Sequence, residues 1–79
     1  MTNYDQETLE AVRGAVARVR ETDLSAVAPA DNLNLDSVDR IGLIAELENV
    51  FSIELPSEAI VPEAFESLSS LAALIASRR

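Results

Sequence analysis

Apolar residues in this chain recur at intervals of three and four, and no stretch alternates with a period of two, which points to helices and against strands. In the first segment, from about Asn3 to Arg20, Leu9, Val12, Val16 and Val19 follow that spacing, with alanines between them. Thr2 or Asn3 is available as an N-cap. The three acids of this segment come first and its three arginines later, an order that suits the helix dipole, while Gly14 weakens the helix slightly. The spacing returns from Ser37 to about Phe51. It returns again in Leu68, Leu71, Ala72 and Ile75, with Ser67 or Ser70 as the cap and Arg78 and Arg79 at the C-terminal end. Pro62-Glu63-Ala64-Phe65-Glu66 reads as a short helix with proline in its first turn and Phe65 as its core anchor. The expected fold is all-α, a small bundle of three principal helices plus one short helix, with a long loop between helices I and II.

The connections support that division. Glu21 to Asp36 contains Pro29, two Asn, two further Asp and isolated apolar residues, with no sustained period. It is expected to be an ordered loop, pegged into the core by Leu24, Val27, Leu33 and Leu35, with room for a helical turn around Asp23 to Val27. Loops of this length in compact domains are uncommon and are often functional. Ile53-Glu54-Leu55-Pro56 is expected to be extended, because a residue before proline avoids the helical region. Ser57 to Val61 is a loop or a fragment of helix.

Placed on a wheel at about 100° per residue, the second helix has two apolar arcs. Leu43, Ile44, Leu47, Val50 and Phe51 form a core face. Val38, Ile41, Gly42 and Ala45 lie on another arc beside Ser37, with Glu48 and Asn49 at its edges. Two apolar arcs mean either burial on both sides or a contact surface for something outside the chain. Gly42 costs a mid-helix position about 1 kcal/mol relative to alanine, a cost that close approach of another group would justify.

The chain has 79 residues and 48% hydrophobic content, so it reads as a single domain over 1–79 that buries roughly 60% of its unfolded surface. A deep private active site is not expected at that size. Cysteine and histidine are absent, which removes disulfides, thiolate nucleophiles, imidazole acid-base chemistry and the usual zinc ligands. The start, Met1-Thr2-Asn3-Tyr4-Asp5, has no basic region leading into an apolar core, and no apolar run approaches the ~20 residues needed to cross a bilayer. A cytoplasmic monomer without stable membrane insertion is expected. Lysine is absent too, and between Glu21 and Glu66 eleven acids face Arg40 alone, within a net charge of −8. That anionic middle repels nucleic acid and favours encounter with basic protein surfaces, although solubility alone would also account for it.

Asp36-Ser37-Val38-Asp39 stands where the acidic loop gives way to the second helix. As local sequence it resembles a variant capping box, which requires no function. A serine in the first turn of a helix also presents its hydroxyl outward, and a phosphate there would lie near the positive helix end, with an apolar strip below it. A nucleophilic-serine hydrolase is disfavoured, because the chain has no histidine or lysine to act as base and no Gly-x-Ser-x-Gly turn. Paired carboxylates such as Asp39 and Glu46 read better as solvated surface charge than as an acid-base pair or metal ligands.

Leu33-Asn34-Leu35-Asp36-Ser37-Val38-Asp39, the Leu43/Leu47/Phe51 pattern, Glu48, Ile53-Glu54-Leu55-Pro56 and the Phe65 to Ile75 ending together resemble the acyl carrier proteins over essentially the whole chain. The resemblance implies a non-catalytic carrier. In it, a phosphopantetheinyl transferase attaches 4′-phosphopantetheine from coenzyme A to Ser37, and the thiol of that arm carries acyl groups as thioesters. Asp36 matches the acid beside the modified serine. Val38, Asp39, Ile41, Ala45 and Glu48 match positions that meet basic docking surfaces on partners. These partners are an acyl-loading ligase or acyltransferase and ketosynthase-type or other acyl-processing enzymes of fatty-acid, lipid or polyketide-type biosynthesis. Leu43, Leu47, Phe51 and Phe65 would line a core able to hold a short or medium acyl chain.

The chain also departs from that family's pattern. Asn34 replaces a glycine common two residues before the Asp, Gly42 stands where an acid is usual, Arg40 adds a positive charge and Asn49 removes a negative one. Relative to the shortest members of that family, three extra residues around Val61-Pro62-Glu63 reshape the region of the short helix. These departures suggest a specialised carrier, not a housekeeping one. Two alternatives stay open: an aminoacyl or peptidyl carrier with the same arm, and a helical interaction module in which Ser37 is only part of a cap.

Overall fold

The computed structural model describes residues 4–78, and among them every regular element is helical. Three α-helices, α1 (Gln6–Arg20), α2 (Ser37–Phe51) and α3 (Leu68–Arg78), are joined by a long first connection and a second one that contains two single 3₁₀ turns. Helix α1 packs along both α2 and α3. Its Leu9, Val12, Ala15 and Val16 meet Leu43 and Leu47 of α2 and Leu68, Leu71, Ala72 and Ile75 of α3 in one buried core.

Helix α1 begins later than its periodicity suggested. Its N-cap is Asp5, whose Oδ1 accepts from the Thr8 N–H at 2.7 Å. Thr2 and Asn3, named above as candidate caps, lie outside the described residues. An aspartate that caps Thr8 fixes the first turn at Gln6, because the residue before it is extended and not helical. The helix closes on Glu21, which takes a left-handed conformation with φ 53°.

The long connection has few regular hydrogen bonds of its own and is pegged as expected. Leu24, Leu33 and Leu35 are buried, and Val27 packs against the core. The turn foreseen near Asp23 is present, closed by the Val27 N–H on the Leu24 carbonyl at 3.0 Å. The Asp23 carboxylate accepts from the Ser25 N–H, which holds its carboxyl below the ordinary aspartate value. The loop is tied to the far end of the molecule by the Ser69 N–H on the Pro29 carbonyl and the Leu33 N–H on the Glu66 carbonyl, at 2.9 and 2.7 Å.

Helix α2 ends on Ser52, left-handed with φ 54°, and residues 53 to 56 leave it extended. The short helix expected at Pro62 is a 3₁₀ turn, Pro62–Phe65, and the fragment before it is a second one, Ser57–Ala59; Val61 before Pro62, held extended at φ −117°, ψ 150°, separates the two. At the head of α3 both candidate cap serines act together. The Ser70 N–H donates to Ser67 Oγ at 3.2 Å, and the Ser67 N–H to Ser70 Oγ at 3.0 Å. This reciprocal pairing satisfies two donors that a helix start leaves open.

One residue departs from the expected core face of α2. Val50 is 38% exposed, whereas Leu43 and Leu47 are fully buried and Ile44 and Phe51 pack at the edge. Helix α2 is covered chiefly along α1, so the outer rim of its apolar arc remains in solvent.

Candidate functional site

Asp36 and Ser37 divide the work at the start of α2. Asp36 is the N-cap: it is extended, and its Oδ1 accepts from the Asp39 N–H at 2.8 Å. The Asp36 carbonyl takes the Arg40 N–H at 3.0 Å, the first bond of the helical ladder. With the cap supplied by the preceding residue, Ser37 is not needed for it. Ser37 is the first helical residue, it is exposed, and its hydroxyl has no hydrogen-bond partner among the described residues. Its own N–H and that of Val38 are likewise open, as the first amides of a helix are. A singly charged phosphodiester on Ser37 would lie beside these donors at the positive end of a fifteen-residue helix. The residues therefore fit a phosphate-linked arm: an exposed hydroxyl with no hydrogen-bond partner among the described residues, and open amides beside it.

The backbone reaches this point through a left-handed residue. Asn34 has φ 53°, and its N–H donates to Asn32 Oδ1 at 2.8 Å. Asparagine is among the few side chains that tolerate this region, and glycine does so without cost. The glycine-to-asparagine departure noted at this position is thus conformationally conservative. We predict that Asn34→Gly will change stability by less than about 0.5 kcal/mol, whereas Asn34→Val, β-branched and strained at positive φ, will lose about 1–2 kcal/mol. Denaturant titration of the two variants checks this.

Beside Ser37 the second apolar arc of α2 is uncovered. Val38 is 77% and Ile41 70% exposed, the two most exposed large hydrophobic side chains described, and Gly42 and Ala45 on the same arc are exposed too. The chain does not bury both arcs. Of the two readings of that arc, burial is the one the geometry removes. Gly42 is not forced by α1, since a methyl added there would meet Val19 Cγ1 at 3.4 Å, ordinary contact.

The acids assigned to partner recognition, Asp39 and Glu48, behave differently from the apolar residues: Asp39 Oδ2 lies 3.7 Å from Arg20 Nε. Glu46, which read as solvated surface charge, accepts on Oε2 from Arg18 Nε at 2.8 Å. The Glu48 carboxylate accepts from the Leu55 N–H at 2.9 Å and so clamps the extended exit from α2. Val38, Ile41 and Ala45 project freely, while Asp39 and Glu48 are partly buried and already engaged. Arg40 folds back, its Nη2 3.4 Å from the Leu35 carbonyl.

Sequence reasoning missed the part played by the arginines of α1, which it assigned to the helix dipole alone. Arg13 Nη1 donates to the carbonyls of Leu24 and Val27 at 2.6 and 2.7 Å, and Arg20 Nη1 to that of Leu33 at 2.6 Å. The only signal available was their position, within about two helical turns of the long loop that follows α1. Of the four residues expected to line an acyl-holding core, Leu43, Leu47 and Phe65 belong to the buried core and Phe51 packs against it, partly buried. Among the described residues no group of three or more His, Cys, Asp or Glu side chains is placed to hold a metal ion, and no helix is long and apolar enough to cross a membrane.

A protein-family model described as a phosphopantetheine attachment site matches residues 10–75. Among curated proteins, the acyl carrier protein of Thermosynechococcus vestitus is 41% identical over 56 residues, spanning 66% of this chain and 69% of that protein. The acyl carrier protein of Helicobacter hepaticus is 38% identical over 56 residues, spanning 66% of this chain and 74% of that protein. No solved structure gives a significant match.

Proposed function

Because this chain belongs to the acyl carrier protein family, with its phosphopantetheine attachment domain, we propose that Ser37 is the residue that bears the 4′-phosphopantetheine arm. The observation that carries this reading is the exposed, unpartnered Ser37 hydroxyl at the head of α2, with the cap supplied by Asp36. In the modification, a phosphopantetheinyl transferase forms a bond from Ser37 Oγ to phosphorus and breaks the phosphoanhydride of coenzyme A. Adenosine 3′,5′-bisphosphate leaves, and the hydroxyl proton passes to a base of the transferase. The arm supplies a terminal thiol that carries acyl groups as thioesters, the sulfur that a chain without cysteine lacks. The chain itself is a carrier and not the catalyst. Intact mass after incubation with coenzyme A and a promiscuous transferase tests the assignment: one phosphopantetheine added per chain is expected, and an unchanged mass overturns it.

The surface beside Ser37 supports a specialised carrier that works with its own ligase, acyltransferase or condensing enzyme. Helix α2 offers Val38, Ile41 and Ala45 to a partner, while its carboxylates at 39, 46 and 48 have partners within the chain. Docking on α2 then rests more on apolar contact than on pairing with a basic patch, and net charge contributes mainly to long-range steering. A general carrier of fatty-acid synthesis would need that pairing. In a reconstituted bacterial fatty-acid synthase depleted of its own carrier, the modified protein is expected to support less than about a tenth of the normal rate, a loss of about 1.4 kcal/mol or more in productive docking. Full replacement would remove the specialised reading.

A further inference from the structure

Arg20 closes α1, and its guanidinium reaches two places at once. Nη1 donates to the Leu33 carbonyl at 2.6 Å, and Nε lies 3.7 Å from Asp39 Oδ2. Both contacts are to residues already held on their other side. The Leu33 N–H donates to the Glu66 carbonyl at 2.7 Å, and the Asp39 N–H to Asp36 Oδ1 at 2.8 Å. Between these two points lie the left-handed Asn34, the buried Leu35, the cap Asp36, and Ser37 with Val38. The span that presents Ser37 is thus bracketed by one side chain from another helix. No other ionic side chain of α1 touches it: Arg13 holds the far end of the loop at Leu24 and Val27, and Arg18 is paired with Glu46.

We propose that Arg20 is a positioning residue for modification of Ser37. This rests on the reading of Ser37 as the arm-bearing serine. An incoming phosphorus must line up with Ser37 Oγ, and a serine on a span fixed at both ends meets it without first being ordered. Core packing alone does not fix it, since only Leu35 of the residues from 34 to 38 is buried. Without Arg20, the span keeps its cap but loses the tie between the loop and the first turn of α2.

The test compares initial rates of modification by a promiscuous phosphopantetheinyl transferase with coenzyme A, read by intact mass in the cold, on chains shown to be folded by circular dichroism. Arg20→Met is expected to lower kcat/KM by about tenfold, mainly in kcat. Arg20→Lys, whose ammonium reaches one of the two acceptors, is expected to recover to within about threefold of the parent, and Asp39→Asn, which severs one contact and keeps the cap, to fall between them. Arg13→Met serves as the control: it loosens the other end of the loop and melts lower, yet should stay within about twofold. A second readout needs no modification. Amide hydrogen exchange of the unmodified protein should accelerate at Leu33 and Asp39 in Arg20→Met and not in Arg13→Met. Parental rates in Arg20→Met, equal slowing in Arg13→Met, or unchanged exchange at Leu33 and Asp39 would each overturn the positioning role. A parent chain that gains no mass would instead overturn the reading of Ser37, and with it any role of Arg20 in modification.

Discussion

Ser37→Ala is expected to abolish the gain of phosphopantetheine while leaving the fold as it is. The two halves of that expectation have separate causes. Modification needs a hydroxyl oxygen at the head of α2, and alanine removes the only atom that could bond to phosphorus there. Stability does not need it, because the side chain is exposed, has no hydrogen-bond partner among the described residues, and leaves the cap to Asp36. Such surface substitutions usually fall within about 0.5 kcal/mol, so the melting temperature should move by only a few degrees. Asp36→Ala should do the reverse in kind. It keeps the hydroxyl but removes the cap, at about 1 kcal/mol. Mass spectrometry and a thermal melt on the same samples read both effects. A mass gain that survives in Ser37→Ala would move the attachment to another exposed serine, such as Ser25, Ser52 or Ser57.

The largest loss of stability short of opening the core is expected from Arg13→Met. The methionine keeps much of the aliphatic stem and removes the guanidinium, whose Nη1 satisfies two loop carbonyls at 2.6 and 2.7 Å. The Arg13 side chain is 16% exposed, so water cannot freely replace it on both carbonyls. Hydrogen bonds from a charged donor contribute about 1.5–3 kcal/mol each, and two from one nitrogen do not add fully, so a loss of about 2–4 kcal/mol follows. At roughly 0.05–0.15 kcal/mol per residue, a domain of 79 residues has only about 4–12 kcal/mol in total. The melting temperature should fall by about 10–20 °C. Arg18→Met is the fitting comparison. Its guanidinium also makes an ion pair, with Glu46 at 2.8 Å, but the side chain is 57% exposed, and surface pairs contribute about 0–1 kcal/mol. Equal melting temperatures for the two variants would mean that water takes over from Arg13 at the loop carbonyls.

These predictions mark where the sequence could be read and where it could not. The helices were legible because a period of 3.6 is a property of each segment alone. Leu43 and Leu47, and Leu68, Leu71, Ala72 and Ile75, fall on buried faces as their spacing requires. The loop pegs Leu24, Leu33 and Leu35 were legible for a related reason: an isolated apolar residue in a polar stretch gains by burial wherever the chain lets it reach. The start of α1 was misjudged, since several polar residues in a row could each cap a helix and the spacing does not choose among them. Asp5 does so because its carboxylate reaches the Thr8 N–H. The two short turns were legible as well: Ser57–Ala59 falls in the stretch read as a loop or fragment of helix and Pro62–Phe65 in the one read as a short helix, with the extended Val61 before Pro62 between them.

What the sequence determined by itself is whatever acts within about one helical turn: the helical periods and a cap at the head of α2, closed by Asp36 on the Asp39 N–H. The tertiary structure decided what acts across segments. Which arc of α2 is covered depends on where α1 crosses it, and that crossing leaves Val38 and Ile41 in solvent. The same crossing places Arg18 against Glu46 and Arg20 between Leu33 and Asp39, so Asp39, an acid that read as part of a recognition surface, is engaged inside the molecule. The physical reason is reach. A cap or a helical period is closed by atoms three or four residues apart, whereas a long arginine side chain finds its partner only after the helices have packed, and nothing in its local sequence specifies which carbonyl or carboxylate will be there.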